Sequence, residues 1–245
     1  FKISKINNYT FSENENFILL KTKREKIYRR SSKYICYLYN TNTDKLSLID
    51  ENKIMHAQIS PDEKNIAYVF NNNLFIYNIK NKISKQITFD GEKNKIINGA
   101  SDWVYEEEFK LVRGFQWSND GKNLAYYKFD ETHVKEFSMD IYDNKLYPSQ
   151  QKFKYPKAGE KNSTVKIYYY NLDKEVHNFI YTEKDYEYIP RIKWTNTPNL
   201  LVLYGLNRKQ NELDFILANI NNNTNRILFT EKDKYYIDIH DNLTF

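Results

Sequence analysis

The longest run of acidic residues in this 245-residue chain is formed by Glu106, Glu107 and Glu108, which follow Asp102 in the stretch SDWVYEEEF. The chain as a whole carries a formal net charge of +5, so the run stands against a basic background. Adjacent carboxylates repel one another, and such a run persists either because water screens the charges or because a cation binds there. The three residues on their own leave both explanations open.

The cation that suits such a group best is an ammonium. An ammonium presents three hydrogen-bond donors and no acceptor, so a pair of carboxylates can accept two or three charge-assisted bonds from it, whereas a guanidinium is served by one carboxylate. The free amino end of a peptide, with a pKa of about 8 in isolation, would be held protonated there. Calcium competes less well, because the stretch lacks the spaced oxygen ligands of a calcium loop.

Other chemistries find little support in the sequence. A single cysteine, Cys36, excludes an internal disulfide and a cysteine-based zinc site, and we interpret it as a small buried apolar residue. The basic run from Lys21 to Arg30 fits a strand face better than a nucleic-acid site, since no binding fold surrounds it. We expect no metal, no cofactor and no nucleic-acid partner, and the histidines lie far apart without metal-ligand spacing: His56, His133, His177 and His240.

The elements that would position the glutamates are mostly strands. Aromatic residues make up 16% of the chain, and they pack well on pleated surfaces. Four units share an apolar or aromatic residue, then Ser or Thr, a polar turn and an alternating apolar strand; they begin at Phe11, Ile59, Trp117 and Trp194. Irregular repeats of this length are typical of four-stranded propeller blades with insertions. The alternative is a generic antiparallel β protein with recurrent turns.

The predicted fold class is therefore all-β: a partial β-propeller of about four four-stranded antiparallel blades. A short helix is predicted for the glutamate run, with Ser101 or Asp102 as its cap and with Trp103 and Tyr105 as anchors. Neighbouring helical side chains diverge by about 100°, so two of the three glutamates can reach one small ligand.

Two features concern the extent of the chain. The segment from Phe129 to Thr164 contains prolines and a glycine that a central strand does not tolerate, and it is predicted to be an insertion that projects from a blade. The last residues, NLTF, look like the start of another repeat, and an open ring would expose pairing edges. We therefore expect residues 1–245 to be the N-terminal part of a propeller that continues beyond Phe245. No apolar run is long enough to cross a bilayer.

Several ordered segments resemble one family. DWVYEEE, followed by WSNDGKNLAYYKFDETHVKEFSMDIY and KYPKAGEKNSTVKIYYYNL, is similar to the N-terminal β-propeller of dipeptidyl peptidase IV and its bacterial relatives in the prolyl oligopeptidase clan. The resemblance runs from about Tyr9 to Phe245. It implies that the last two glutamates, Glu107 and Glu108, hold the α-amine of a peptide substrate, whereas Glu106 is expected to be structural or solvent-facing.

The resemblance also implies a role for Arg29. In the family an arginine in a Trp/Tyr-Arg-His-Ser stretch contacts a substrate carbonyl and pairs with the glutamate site. Here the stretch reads IYRRSS, which places Arg29 at that position and Arg30 where the family has histidine. The departure adds charge near the predicted site.

The family's chemistry lies in a following α/β-hydrolase domain with a Ser-Asp-His triad, which removes Xaa-Pro or Xaa-Ala dipeptides from a free N-terminus. These 245 residues contain no G-x-S-x-G nucleophile elbow, so this chain is expected to be inactive alone. The resemblance further implies a homodimeric, periplasmic, exported or cell-surface parent protein. The alternative from another class is a non-catalytic propeller: a binding scaffold or an inactive homologue.

Overall fold

The protein is built almost entirely from antiparallel strands. The computed structural model describes residues 3, 5–197 and 199–245, and within them it contains nineteen strands and one short helix. Pro198, which belongs to the fourth predicted turn, lies outside the described residues. The strands form four successive antiparallel sheets, three of four strands and one of five, together with a separate two-stranded hairpin. This is the predicted all-β architecture.

The first two blades are uninterrupted. The first comprises β1 (Asn8–Phe11), β2 (Phe17–Lys26), β3 (Ser32–Asn40) and β4 (Lys45–Leu48). The second comprises β5 (Met55–Ile59), β6 (Asn65–Phe70), β7 (Asn73–Asn78) and β8 (Ile83–Gln86).

The third blade contains two additional segments: one with the short helix, and one that forms a hairpin. Its preceding segment contains β9 (Ile96–Asn98) and α1 (Trp103–Glu108). Its four main strands are β10 (Phe115–Trp117), β11 (Asn123–Asp130), β14 (Thr164–Asn171) and β15 (Val176–Phe179). Between β11 and β14, the strands β12 (Glu136–Ile141) and β13 (Ser149–Lys154) form a separate two-stranded hairpin, which we call the arm hairpin. It occupies the predicted insertion between Phe129 and Thr164.

The fourth blade is again regular, with its strands in sequence order. It comprises β16 (Ile192–Trp194), β17 (Leu200–Leu206), β18 (Glu212–Asn219) and β19 (Thr224–Lys232).

The repeated turn has a physical basis in one serine. Ser60 Oγ accepts a hydrogen bond from the backbone N–H of Asn65 at 3.0 Å and donates one to Asp62 Oδ1 at 2.6 Å. The side chain therefore closes the turn between the first two strands of the blade, where backbone groups lack strand partners. Ser12 and Ser118 close the corresponding turns of the first and third blades in the same way.

Tryptophans at the start of two repeats join neighbouring blades. The Trp117 indole N–H donates to the carbonyl of Gln58 in the second blade at 3.3 Å, and the Trp194 indole donates to Gln116 in the third at 3.1 Å. Both carbonyls belong to the first strand of the adjacent blade. The first strands thus converge on one another, and they are the innermost strands of the array.

The core fills the spaces between the blades. One buried cluster joins residues of the first two blades and includes Cys36, which is 1% exposed, as predicted for a small apolar residue. A larger cluster runs from the second blade to the fourth and includes Tyr105 of α1. In the described part of the chain, no helix has the length and apolar character needed to span a membrane, and no group of three or more side chains is arranged to bind a metal ion.

Candidate substrate-binding site

The glutamate helix interrupts the innermost strand of the third blade. Both β9 and β10 pair with β11, on adjoining segments: Ile96–Asn98 lies opposite Lys128–Asp130, and Phe115–Trp117 lies opposite Leu124–Tyr126. The sixteen-residue excursion 99–114 therefore leaves the sheet between two halves of one strand position. α1 lies within this excursion, just before the first main strand of the blade.

Asp102 caps the helix, as one of the two predicted candidates. Its Oδ1 accepts a hydrogen bond from the backbone N–H of Tyr105 at 2.9 Å, and its Oδ2 accepts one from Ser163 Oγ at 2.6 Å. Burial raises the pKa of the Asp102 carboxyl, and the two hydrogen bonds oppose that rise. A six-residue helix has little stability of its own, so the cap and its link to Ser163 define where the helix begins.

Tyr105 attaches the helix to the fourth blade. Its ring is 1% exposed and packs edge-on against Phe129, with ring centroids 4.7 Å apart. Its hydroxyl accepts a hydrogen bond from the backbone N–H of Ile189 at 2.9 Å, and Arg191 donates to the carbonyl of Phe109, just after the helix, at 2.9 Å. The predicted anchoring role of Tyr105 is confirmed.

Trp103 attaches the helix to the arm hairpin. Its ring lies 4.4 Å from that of Tyr155 and 6.1 Å from that of Phe153, measured between ring centroids. Phe153 also contacts Phe137 on the other strand of the hairpin. The insertion predicted from the sequence therefore packs directly against the predicted site, a contact that the sequence pattern did not indicate.

Glu106 is the buried member of the acidic run. Its side chain is 1% exposed, and its Oε1 accepts hydrogen bonds from the backbone N–H groups of Arg30 at 2.6 Å and Ser31 at 2.8 Å. The prediction of a structural role is confirmed, and the solvent-facing alternative is wrong. By holding the backbone next to Arg29, Glu106 determines where the predicted arginine lies.

Arg29 and Glu107 are in contact. Arg29 Nε lies 3.0 Å from Glu107 Oε2, and the two side chains are 72% and 13% exposed. They lie on the wall of a cleft of about 1050 Å³ between α1 and the arm hairpin. The same wall carries the aromatic side chains of Trp103, Phe153 and Tyr155. An ion pair with one exposed partner contributes little to stability. The pair is therefore of interest because it positions two charged groups on the wall of the cleft.

Glu108 lies apart from this pair. Its side chain is exposed, and it makes no hydrogen bond or ion pair to the described residues. It is not part of the wall of the cleft that Arg29 and Glu107 line. It lies near Tyr188, whose pKa is raised mainly by burial and to a smaller extent by the charge of Glu108. The structure thus brings two of the three predicted binding residues together and leaves the third solvated beside them.

One acidic residue near the site was missed from the sequence. Glu131 follows the end of β11 and is 6% exposed. It lines a second cavity of about 540 Å³ together with Tyr28 and Glu106. Burial and the nearby charge of Asp102 raise the pKa of Glu131 to about 7, while Lys154 opposes the rise. No sequence signal marks Glu131, because its burial depends on the arm hairpin and on the loop that carries Arg29.

The four successive blades, with an excursion at the first-strand position of the third, define the chain as a β-propeller region. The family described as "Dipeptidyl peptidase IV (DPP IV) N-terminal region" matches residues 12–245. The chain belongs to this family.

Individual relatives agree with this assignment. Dipeptidyl peptidase 4 of Felis catus is 34% identical over 239 residues, which cover 90% of this chain and 31% of that protein. Prolyl endopeptidase FAP of Homo sapiens is 35% identical over 66% of this chain and 22% of that protein. The crystal structure of Porphyromonas gingivalis dipeptidyl peptidase 4 superposes with a TM-score of 0.92 at 37% identity, over 96% of this chain and 34% of that one. The chain thus spans about a third of these dipeptidyl peptidases.

Proposed function

We propose that this chain is the substrate-binding propeller region of a serine dipeptidyl peptidase, in which Glu107 and Glu108 hold the α-amine of an incoming peptide. The observation that carries the proposal is the contact between Arg29 and Glu107 on the wall of a cleft beside the innermost strands. The chemistry is proposed to belong to a following α/β-hydrolase domain outside these 245 residues, as the resemblance to the family implies.

The charges support this role. Arg29 occupies one oxygen of Glu107, Oε2, which leaves Oε1 free for a donor such as an ammonium. Glu108 is one residue further along and solvated, so it can turn towards the same ammonium without breaking an existing hydrogen bond. A protonated amine between two carboxylates forms charge-assisted hydrogen bonds. Because Arg29 contacts Glu107 through Nε, its terminal N–H groups can donate to the carbonyl of the substrate residue that follows the amine.

Such an amine-binding site would fix the distance from the N-terminus at which the peptide is cleaved. Two extended residues span at most about 7 Å, so a fixed amine determines which carbonyl reaches the nucleophile. Only dipeptides would leave from the N-terminus, with proline or alanine preferred as the second residue. The parent protein is proposed to be exported to the periplasm or the cell surface and to form a homodimer through the arm hairpin.

The test is an assay of the full-length protein that contains this chain, with Gly-Pro and Ala-Pro chromogenic substrates. Replacement of both glutamates (Glu107→Ala with Glu108→Ala) is expected to lower kcat/KM by about a hundredfold or more, because two charge-assisted bonds to the amine are lost. The matched control is Glu51→Ala, at an exposed position. Unchanged turnover in the double variant would rule out the proposed amine-binding role of the two glutamates.

A second experiment distinguishes this proposal from a non-catalytic propeller. The coding sequence after Phe245 is read for a G-x-S-x-G elbow, and the full-length protein is assayed on an N-acetylated Gly-Pro substrate beside the free one. The proposal requires the elbow, cleavage of the free substrate and rejection of the blocked one. A missing nucleophile would establish a scaffold or an inactive homologue.

A further inference from the structure

Two cationic side chains with unused donors line a cavity at the inner ends of the first two blades. The cavity measures about 290 Å³, and Lys21 of β2 and Arg113, just before β10, lie on its wall. The wall also includes Gln58 of β5 and the end of β1, so three blades contribute to it. It is separate from the cleft of Arg29 and Glu107, because the two share no lining residue.

Neither cation has an anionic partner among the described residues. Lys21 and Arg113 form no ion pair there, and Lys21 Nζ makes no hydrogen bond. Arg113 donates only through Nε, to the carbonyl of Phe115 at 3.3 Å, and its guanidinium lies over the Phe115 ring, 5.6 Å from the centroid. These contacts hold the guanidinium in place and leave both terminal nitrogens free. A guanidinium fork with free terminal N–H groups matches an oxyanion in a bidentate manner.

The two charges act on each other and on a third group. Burial lowers the pKa of Lys21, and the charge of Arg113 lowers it further, whereas Cys36 acts in the opposite direction. Burial together with the charges of Arg113 and Lys21 lowers the pKa of His56 to about 3. The three groups therefore lie close together; His56 is uncharged at neutral pH, so the repulsion there is between Lys21 and Arg113. Like charges gathered at one place are an unfavourable arrangement that a bound anion would relieve.

The nearby acidic groups do not supply that anion. Cys36 is a thiol whose pKa burial raises to about 12, so it is uncharged at neutral pH. Glu13 lies on the wall of the cavity but is exposed and pairs with neither cation. Asp50 affects the Cys36 thiol but forms no ion pair with Lys21 or Arg113. Among the described residues, Lys21 and Arg113 thus have no ion-pair partner, and the exposed Glu13 is the one carboxylate on the cavity wall.

His56 adds an independent sign of a missing partner. Its Nε2 is buried and has no hydrogen-bond partner among the described residues, and a neutral imidazole can donate an N–H from that atom. His56 sits at a β-bulge between Met55 and Gln58 with a φ of 58°, a conformation that non-glycine residues adopt uncommonly. Buried polar groups are nearly always paired, and an unpaired one calls for an explanation such as a bound ion.

We propose that this cavity is a binding site for a small oxyanion, held by the Lys21 ammonium and the terminal N–H groups of Arg113, with His56 beside it. The volume accommodates a sulfate or phosphate ion or a single carboxylate. Inorganic oxyanions and the C-terminal carboxylate of a peptide share this chemistry. The inference is independent of the amine clamp, since it uses none of the same residues.

The test is calorimetric titration of sulfate into the full-length protein at constant ionic strength. One saturable site is expected, and Lys21→Met and Arg113→Met are each expected to weaken sulfate binding about tenfold or more, because each removes charge-assisted hydrogen bonds. Lys45→Met, on the exposed end of β4, is the matched control and is expected to bind sulfate as the unaltered protein does. Absence of saturable heat, or equal affinity in all variants, overturns the proposal.

Two further measurements complete the test. Without sulfate, Lys21→Met and Arg113→Met are expected to melt at or above the temperature of the unaltered protein; a marked drop would show that the cations already have internal partners and would overturn the site. Sulfate is then displaced with a dipeptide that has a free C-terminus and with its amide. Displacement by the free acid alone assigns the site to peptide carboxylates, and displacement by neither assigns it to inorganic oxyanions.

Discussion

The side chain of Glu106 holds the backbone of Arg30: Glu106 Oε1 accepts the Arg30 N–H at 2.6 Å. A second bond from Ser31 at 2.8 Å makes the carboxylate an acceptor for two consecutive N–H groups. The first glutamate of the run, which resemblance leaves without a substrate role, is therefore the link between the helix and the loop that carries Arg29.

Loss of this link is expected to weaken both stability and substrate binding. Glu106→Ala leaves two N–H groups without a buried acceptor, at a cost of about 1–3 kcal/mol in the free energy of unfolding. KM for Gly-Pro substrates is expected to rise, because Arg29 is no longer held beside Glu107. Chemical denaturation and steady-state kinetics of the full-length protein measure the two effects, with exposed Glu51→Ala as control. A stable variant with unchanged KM would contradict the proposed link.

Replacement of Arg29 is expected to separate binding from stability. Its pair with Glu107 is largely exposed on the arginine side, so Arg29→Met should change the free energy of unfolding by less than about 1 kcal/mol. The same variant should raise KM about tenfold or more if Arg29 donates to a substrate carbonyl. Arg30→Met is the neighbouring control, since the Arg30 side chain is exposed and only its backbone contacts Glu106. Equal kinetics in the two variants would deny Arg29 a binding role.

Glu131 is expected to make stability depend on pH. Its pKa is raised by burial, then by Asp102, from an ordinary value of 4.5 to about 7. The folded state therefore binds more protons than the unfolded state between these values, so the contribution of Glu131 is fully present below about pH 4.5 and is lost as the pH rises through about 7.

The variant Glu131→Gln should remove this dependence. It is expected to flatten the decline in stability from pH 5 to pH 8 and to be more stable than the unaltered protein at pH 8 by roughly 1–3 kcal/mol. Thermal and urea unfolding at several pH values provide the measurement, and Glu51→Gln serves as the exposed control. A pH profile identical to that of the unaltered protein would show that Glu131 is not titrating in this range.

The tip of the arm hairpin is expected to form a dimer contact in the full-length protein. Leu146 and Tyr147 are 84% and 80% exposed, so Leu146→Asp with Tyr147→Asp should leave the fold intact and shift dimer towards monomer. Sedimentation velocity measures the change. Phe89→Asp, at a 77% exposed aromatic residue in the second blade's outgoing loop, should leave the assembly unchanged. An unaltered dimer in the double variant would place the interface elsewhere.

Much of the fold can be predicted from local sequence because its signals are local. The serine or threonine of each repeat bonds to groups a few residues away, so a short pattern such as ISPDEKN marks a strand entry wherever it occurs. The cap of α1 is equally local, since Asp102 bonds to a backbone N–H three residues later. The resemblance placed Arg29 and Glu107 in one site, and the structure shows them in contact.

What needed the tertiary structure is everything that depends on distant segments. Burial of Glu106 and Glu131 and solvation of Glu108 follow from which loop and hairpin cover the helix, and Glu106 bonds to residues 75 or more positions away. The cavity of Lys21 and Arg113 likewise draws on three blades. Charge and hydrogen-bonding capacity belong to the residue type and can be read in order along the chain. Desolvation and repulsion depend on distance in space, which only the packing of the blades determines.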